Sequence, residues 1–186
     1  MQNDPIAESV MATLLARHPA LAACADKITD AYSILRDSIA QGGTVFVCGN
    51  GGSRADADHI IGELSKGFLL KRKLPAELVE SMSEKLGEDA APLCDRLQMG
   101  MRAMLLDAHP ALSSAYANDV DPVMCYAQQL FVMGRENDVV IGLSTSGNAE
   151  NIRNVFKVAG GRGIKRILFT GNRHGKCEQY ADCVID

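Results

Sequence analysis

Residues 44–53, TVFVCGNGGS, join a short apolar run to a glycine-rich turn that ends in serine. The run is rich in β-branched residues, and glycines close it, which is typical of a buried strand followed by a tight turn. A helical pattern follows from about Ala55 to Lys66. The order of strand, turn and helix predicts the first half of a βαβ unit and therefore a parallel sheet.

The same order recurs nearer the C-terminus. Residues 138–143 are a second apolar run, 144–147 (STSG) a second turn, and 148–158 a second helical pattern. Further strands are predicted in three places, at 101–107, 165–170 and 181–185. Because strands alternate with helices, we expect an α/β fold in which helices cover both faces of a parallel sheet.

Helical patterns also lie outside these units. Apolar residues at helical spacing predict N-terminal helices within residues 1–42, before the first strand. The charged, leucine-containing stretch 67–100 predicts one or two short helices inserted between strands, with Pro75 and Pro92 at their starts. We expect residues 1–186 to form a single domain with these two additions.

Composition limits the function classes. The chain has 186 residues, 47% of them apolar, and a net charge of −4, so we expect neither a nucleic-acid nor a membrane partner. A phosphate site would have to be built locally from backbone N–H groups and hydroxyls. The 6 cysteines are scattered without a CxxC pair, and no signal peptide or membrane-length segment is evident, so we expect free thiols and a cytoplasmic protein.

The first turn, Asn50-Gly51-Gly52-Ser53, has the composition of an anion site. Glycines let the backbone approach a ligand, and the N–H groups at the start of a helix point at an anion. The stretch is not a P-loop, because no Gly-Lys-Ser/Thr follows, and it lacks the third glycine of the dinucleotide fingerprint. An ordinary tight turn is the alternative interpretation.

The second turn favours an anion site over an ordinary tight turn. Ser144, Thr145 and Ser146 offer adjacent hydroxyls, and Gly147 and Asn148 follow them. Two hydroxyl-rich turns in one parallel sheet should lie at the same carboxyl edge, where ligands bind in such folds. Helix capping alone would need one hydroxyl. The pair of turns therefore predicts a phosphate site.

Candidate acid–base residues lie between the two turns. His59 and Glu63 are four residues apart, so on a helix they share one face, and they suit a divalent metal or a general base. A solvated surface pair, or a core histidine, is the alternative. Asp107 ends the predicted strand at 101–107, and Asn118 and Asp119 lie in a polar break after it. Any of these could face the same edge, although we favour a helix-capping role for Asp119.

Together these motifs resemble the phosphoheptose isomerase branch of the SIS (sugar isomerase) family. The resemblance runs from about residue 5 to the end and rests on GNGGS at 49–53, His59 with Glu63, AND at 117–119, STSGN at 144–148 and TG at 170–171. It implies a flavodoxin-like three-layer sandwich with a five-stranded parallel sheet and a homotetramer with sites between subunits. It also implies conversion of sedoheptulose 7-phosphate into a D-glycero-D-heptose 7-phosphate, often with zinc.

The resemblance also assigns roles. By it, Ser53, Ser144 and Ser146 hold the phosphate with Thr145 nearby, and His59 and Glu63 occupy metal-binding positions. Glu63 matches the catalytic base, and Asp107 matches an acidic residue that contacts the sugar. Such chemistry moves a proton between adjacent carbons through an enediol, which requires a carboxylate base and a group that handles the oxygen protons.

Three features depart from the family pattern. The family continues past the position of Asp186 into a helix whose Gln and His complete the metal site, and we expect that helix to be absent from this chain. Ala149 replaces a serine that often helps hold the phosphate, and the 67–100 stretch is longer than usual. These departures leave a second reading open, a non-catalytic SIS module that binds a sugar phosphate or a protein partner, as in DnaA-binding relatives.

Overall fold

The structure is a computed structural model, and it describes residues 4–107, 109–171 and 174–186. Within them, five parallel strands form one sheet in the order β2-β1-β3-β4-β5. The strands are β1 (Val45–Gly49), β2 (Ala103–Leu105), β3 (Val139–Ser144), β4 (Lys165–Thr170) and β5 (Cys183–Ile185). Residues 1–3 of the predicted N-terminal segment lie outside the described residues.

Helices precede the sheet and separate its strands. The α-helices are α1 (Pro5–Arg17), α2 (Ala25–Ala40), α3 (Gly52–Leu64), α4 (Ala76–Leu86), α5 (Ala90–Cys94), α6 (Pro110–Asp119), α7 (Cys125–Met133) and α8 (Glu150–Gly161). Short 3₁₀ turns span Pro19–Cys24, Gly87–Asp89, Pro122–Met124 and Glu178–Tyr180. None of the helices described is long and apolar enough to cross a membrane.

The sheet is buried on both faces because its strands are apolar throughout. Along β1, Val45 and Val47 pack with residues of α2 and α3. The alternating residues Phe46 and Cys48 pack on the opposite face with residues of α7 and α8. Alternation of side chains across the strand therefore builds two cores, one on each face. The predicted three-layer α/β sandwich with a five-stranded parallel sheet is confirmed.

The order of the strands places a crevice between β1 and β3. The chain moves from β1 outward to β2 and then returns to β3 on the other side of β1. The register pairs Gly49 with Leu143, so the two strands end almost level. Ligands of open α/β sheets bind where the strand order reverses in this way. The turns after β1 and β3 both open onto this crevice.

Several helix boundaries differ from the sequence-based expectation. α3 begins at Gly52, not near Ala55, because Gly51 adopts a positive φ of 55° and turns the chain into the helix early. α5 begins at Ala90, so Pro92 lies inside its first turn instead of starting it. Proline is tolerated there because the first-turn N–H groups have no partner within the helix.

The expected polar break around Asn118 and Asp119 was wrong. Both residues belong to the last turn of α6, and the sequence patterns had indicated neither α6 nor α7. Asp119 does not cap a helix. Asp121 does so instead, since its carboxylate accepts a hydrogen bond from the N–H of Val123 at 2.9 Å.

The stretch 67–100 contains α4 and α5, which pack against each other. The base of this insertion is closed by two hydrogen bonds. The Gly67 N–H donates to Gln98 Oε1 at 2.9 Å, and the Met99 N–H donates to the carbonyl of Arg72 at 2.8 Å. No residue of α4 is buried. The insertion therefore stands on the rim of the domain, next to the C-terminal end of α3.

Candidate functional site

The two hydroxyl-rich turns meet at the carboxyl edge of the sheet. Ser53, Ser144, Thr145 and Thr170 line a cavity of about 350 Å³. A smaller cavity of about 240 Å³ lies against the same turns and adds Ser146 to its lining. We call these two cavities the serine cavities, and the turns after β1 and β3 the serine turns. The structure thus brings together the serines that the sequence singled out, as their places at the ends of β1 and β3 predict.

The position directly before the first turn, at the end of β1, requires glycine. A Cβ atom on Gly49 would lie 2.5 Å from the carbonyl oxygen of Ser53, closer than atoms approach in proteins. The backbone of the turn therefore lies directly under the first turn of α3. The N-cap, Gly51, offers no side-chain hydrogen bond to the helix, so the N–H groups of Gly52 and Ser53 can donate hydrogen bonds to an anion.

The second turn holds its hydroxyls at different depths. Ser144 is buried at the end of β3, whereas Thr145 and Ser146 are exposed. Gly147, with a φ of 63°, donates its N–H to the carbonyl of Ser144 at 2.9 Å and so closes the turn. The next helix, α8, has Ala149 as its N-cap and therefore no side-chain cap. Ser146 Oγ accepts from the Asn148 N–H at 3.2 Å, and its own hydroxyl hydrogen can still be donated to a ligand.

Two predicted ligand-binding amides are instead engaged by the protein. Asn50 and Asn151 exchange side-chain hydrogen bonds at 3.0 and 2.8 Å, which ties the first turn to α8. Asn148 donates to the carbonyl of Ser146 at 2.8 Å and accepts from the N–H of Lys176 at 3.0 Å. In this structure both amides brace the turns, and the hydroxyls and helix N–H groups remain available to a ligand.

A second, larger cavity continues along α3. It has a volume of about 670 Å³, and His59 and Glu63 lie in its wall. Asp56 and Ile60 line both this cavity and the 350 Å³ cavity at the serine turns. One face of α3 therefore leads from Ser53 to Glu63. Asp56 was missed by the sequence analysis, although its position three residues after Ser53 places it on the same helical face.

His59 and Glu63 are close but make no direct hydrogen bond. His59 Nε2 lies 3.7 Å from Glu63 Oε1, and Lys66 Nζ lies 2.7 Å from Glu63 Oε2. The imidazole is largely exposed, whereas the Glu63 side chain is about two-thirds covered, at 31% exposure. An imidazole nitrogen and a carboxylate oxygen suit zinc, which usually takes four ligands. Among the described residues no third acidic, histidine or cysteine ligand lies near enough to complete a set.

Asp107 lies at the end of β2 in a network that the sequence did not reveal. Its Oδ2 accepts from Arg54 Nε, and its Oδ1 from Ser113 Oγ, both at 2.8 Å. The hydrogen bond to Asp107 raises the pKa of Arg54 above its ordinary value. Asp107 is not among the residues that line the serine cavities. Arg54 connects it to the first turn of α3.

Asn118 and Asp119 lie at the end of α6, away from the lining of those cavities. Asn118 Nδ2 donates to Asp119 Oδ1 at 2.8 Å, and both side chains are exposed. Within this chain they therefore stand apart from the serine turns.

Tyr126 supports the floor of the site from α7. Its hydroxyl donates to the carbonyl of Gly49 at 3.2 Å and lies 3.4 Å from Asn50 Oδ1. Burial raises the pKa of Tyr126 to about 12, so the phenol stays protonated at neutral pH and can donate its one hydrogen to either acceptor. The first turn is consequently held from below by α7 and from the side by α8.

Comparison with known proteins agrees with this arrangement. A family model described as the SIS domain matches residues 12–90. A phosphoheptose isomerase of Burkholderia pseudomallei (strain K96243) is 34% identical over 180 residues, which cover 97% of this chain and 76% of that protein. This chain belongs to the phosphoheptose isomerase family. The resemblance drawn from the motifs is therefore confirmed.

Solved structures of the family have the same fold. The phosphoheptose isomerase GmhA from Neisseria gonorrhoeae superposes with a TM-score of 0.69 at 22% identity, covering 100% of this chain and 85% of that one. A phosphoheptose isomerase from Francisella tularensis gives 0.71 at 23% identity with the same coverage. The five-stranded sheet and its flanking helices are thus the architecture of this family.

Proposed function

We propose that this protein is a sugar-phosphate isomerase that interconverts sedoheptulose 7-phosphate and D-glycero-D-heptose 7-phosphate. One observation carries the proposal. A single face of α3 runs from the serine turns to Glu63, and the two cavities along it share Asp56 and Ile60. A substrate anchored by its phosphate at the turns can therefore extend toward a carboxylate and an imidazole.

The proposed roles of the site residues follow from their chemistry. Hydroxyls of Ser53, Ser144 and Ser146, with the N–H groups at the start of α3, suit the phosphate, because these donors complement an anion at a helix N-terminus. Glu63 is the proposed base that takes the proton from the carbon next to the carbonyl. Without a bound metal, His59, next to Glu63, would move the oxygen protons of the enediol.

The alternative of a non-catalytic binding module is not favoured. Phosphate binding alone would need only the serine turns, yet His59 and Glu63 lie on the adjoining cavity. The relatives that match at 33–34% identity over most of the chain carry the name phosphoheptose isomerase. Both observations support an enzyme.

We further propose that His59 and Glu63 contribute to a zinc site. Their nitrogen and oxygen donors have the chemistry that zinc accepts, and additional ligands must come from outside this pair. A bound zinc ion would polarise the substrate oxygens at the reacting carbons. The test is metal content by mass spectrometry after zinc loading and gel filtration. His59→Ala should retain less zinc than His174→Ala, which changes an exposed histidine elsewhere.

The oligomer and the compartment are proposals of the same kind. We propose a homotetramer, because α1 contains no buried residue and exposes Ile6 and Val10. We propose a cytoplasmic location, because all six cysteines are free thiols and such thiols persist in a reducing compartment.

The decisive experiment measures proton exchange at the substrate carbon. Wild type should incorporate deuterium from heavy water into sedoheptulose 7-phosphate. Glu63→Gln should lose this exchange by a factor of about 10²–10⁴, since an amide cannot accept the proton. Phosphate affinity should stay within about twofold, because Glu63 lies in the cavity beyond the serine turns.

Glu77→Gln is the matched control, as Glu77 is an exposed acid on α4. Equal exchange by Glu63→Gln and wild type would remove Glu63 from the mechanism. A wild type that binds the sugar phosphate without any exchange would favour the binding module instead.

A further inference from the structure

An ion pair links the phosphate-binding turn to the neighbouring strand end. Arg54 directly follows Ser53 in the first turn of α3, and its Nε donates to Asp107 Oδ2 at 2.8 Å. Asp107 lies beyond β2, on the other side of β1 from the second turn. The pair is therefore a direct side-chain contact between the candidate anion site and the loop that carries Asp107.

Asp107 is held in a conformation that an aspartate seldom adopts. Its φ of 95° falls in the left-handed region, where side chains other than glycine are strained. The strain is maintained by Gln129, which is only 2% exposed. Gln129 accepts from the Asp107 N–H at 2.8 Å and donates to the carbonyl of Leu105 at 3.0 Å. Backbone strain maintained by buried partners is concentrated at functional sites.

Both members of the pair have hydrogen-bonding capacity left over. Among the residues that the structure describes, each carboxylate oxygen of Asp107 has one side-chain donor, Arg54 or Ser113, and each can accept a second hydrogen bond. The Asp107 side chain is 24% exposed, so a ligand hydroxyl can reach it. Arg54 makes this contact through Nε, and 42% of its side chain is exposed.

We propose that Arg54 is a positioning residue that holds the Asp107 carboxylate ready to accept a sugar hydroxyl when phosphate occupies the adjacent turn. This inference rests on the proposed function, because it assumes a sugar phosphate as ligand. Its physical basis is that a guanidinium in the first turn of α3 moves with the anion-binding N–H groups of the same turn. Asp107 is thereby fixed relative to the phosphate of the substrate.

The test compares two ligands in the same full chain by calorimetry, sedoheptulose 7-phosphate and inorganic phosphate. Arg54→Met should weaken sugar-phosphate binding about tenfold and leave inorganic phosphate within about twofold. Asp107→Asn should show the same selectivity, and the double variant should be no weaker than the weaker single variant, because the two residues act as one unit. Arg54→Lys, which keeps the charge, should weaken the sugar phosphate less than Arg54→Met.

Arg36→Met is the matched control, since Arg36 forms an exposed pair with Asp37 on α2. Equal loss of both ligands in Arg54→Met would assign Arg54 to the phosphate site or to folding and overturn the inference. Unchanged sugar-phosphate affinity would overturn it as well, while the proposed function would survive. A wild type that binds neither ligand would overturn the proposed function, and this inference with it.

Discussion

At the scale of single residues, the second turn contains a position that lacks a hydroxyl. Ala149 lines the smaller cavity beside Ser146 and is the N-cap of α8. Serine at an N-cap stabilises a helix because its oxygen accepts a hydrogen bond from an N–H of the first turn. A serine at this position would also add a donor to the cavity. The alanine therefore provides neither a side-chain cap for α8 nor a hydrogen-bond donor to the cavity.

We expect Ala149→Ser to raise the free energy of unfolding by about 0.5–1 kcal/mol and to tighten phosphate binding about threefold to tenfold. Urea unfolding and calorimetry with inorganic phosphate measure the two effects. Ala20→Ser, at an exposed position of a 3₁₀ turn, should change neither. Weaker phosphate binding in Ala149→Ser would show that the cavity needs the smaller methyl group.

Ser146 is the residue whose loss should be felt most directly by the ligand. It is exposed, it lines the smaller cavity, and its Oγ accepts from the Asn148 N–H at 3.2 Å. We expect Ser146→Ala to weaken sugar-phosphate binding by about 1–3 kcal/mol, the usual cost of removing a hydrogen bond to a charged group. Ser83→Ala, at an exposed serine on α4, is the control. Unchanged affinity in Ser146→Ala would exclude this hydroxyl from the phosphate site.

At this scale, the sequence predicted part of the candidate site and missed the rest for a physical reason. Ser53, Ser144 and Ser146 were predictable because each belongs to a turn whose place in a parallel sheet follows from local pattern. The pairing of Arg54 with Asp107 was not predictable, since 53 residues separate them and neither stands in a periodic pattern. Their contact depends on how α3 and the end of β2 pack.

At the scale of elements, the strands were predictable and two helices were not. β4 was expected at 165–170 and is found there, because it contains the apolar residues Ile167, Leu168 and Phe169 and is followed by Gly171. α6 begins at Pro110 in a region that was interpreted as polar, and neither α6 nor α7 has a side-chain cap. The side-chain capping signal of a helix start is therefore missing in both, and the sequence analysis did not use the proline that begins α6.

The contact between the first turn and α3 yields a prediction at this scale. A methyl group on Gly49 would meet backbone atoms of Ser53 at 2.5–2.6 Å, so the first turn of α3 would have to move. We expect Gly49→Ala to weaken phosphate binding at least tenfold, because the helix N–H groups would lose their aim at the ligand. Calorimetry with inorganic phosphate measures the loss.

Gly62 offers the matched control on the same helix. A Cβ there has no neighbour within 4 Å, and alanine favours a helix interior over glycine. Gly62→Ala should therefore raise the free energy of unfolding by about 0.5–1 kcal/mol and leave phosphate affinity unchanged. Equal phosphate affinity in Gly49→Ala and wild type would mean that the turn is not the anion site.

At the scale of the whole molecule, the N-terminal helices leave apolar surface uncovered. α1 contacts the 3₁₀ turn that follows it, and none of its residues is buried. A groove of about 380 Å³ between α1 and α2 is lined mainly by apolar side chains. Asp4 holds the helix in place, since it caps α1 and accepts a hydrogen bond from the hydroxyl of Tyr32 on α2. Uncovered apolar surface of this kind marks a protein interface.

We therefore expect the purified chain to be an oligomer, most simply a tetramer, in which α1 packs on another subunit. Val10 is 56% exposed on α1, so Val10→Glu would place a charge in that interface and should shift the protein toward smaller species. Light scattering coupled to gel filtration, over a hundredfold range of concentration, measures the shift. Ser9→Glu adds the same charge at the neighbouring exposed position and should change the distribution less. A wild type that stays monomeric throughout would contradict the tetramer, and an oligomer that Val10→Glu leaves intact would place the interface on another surface of the molecule.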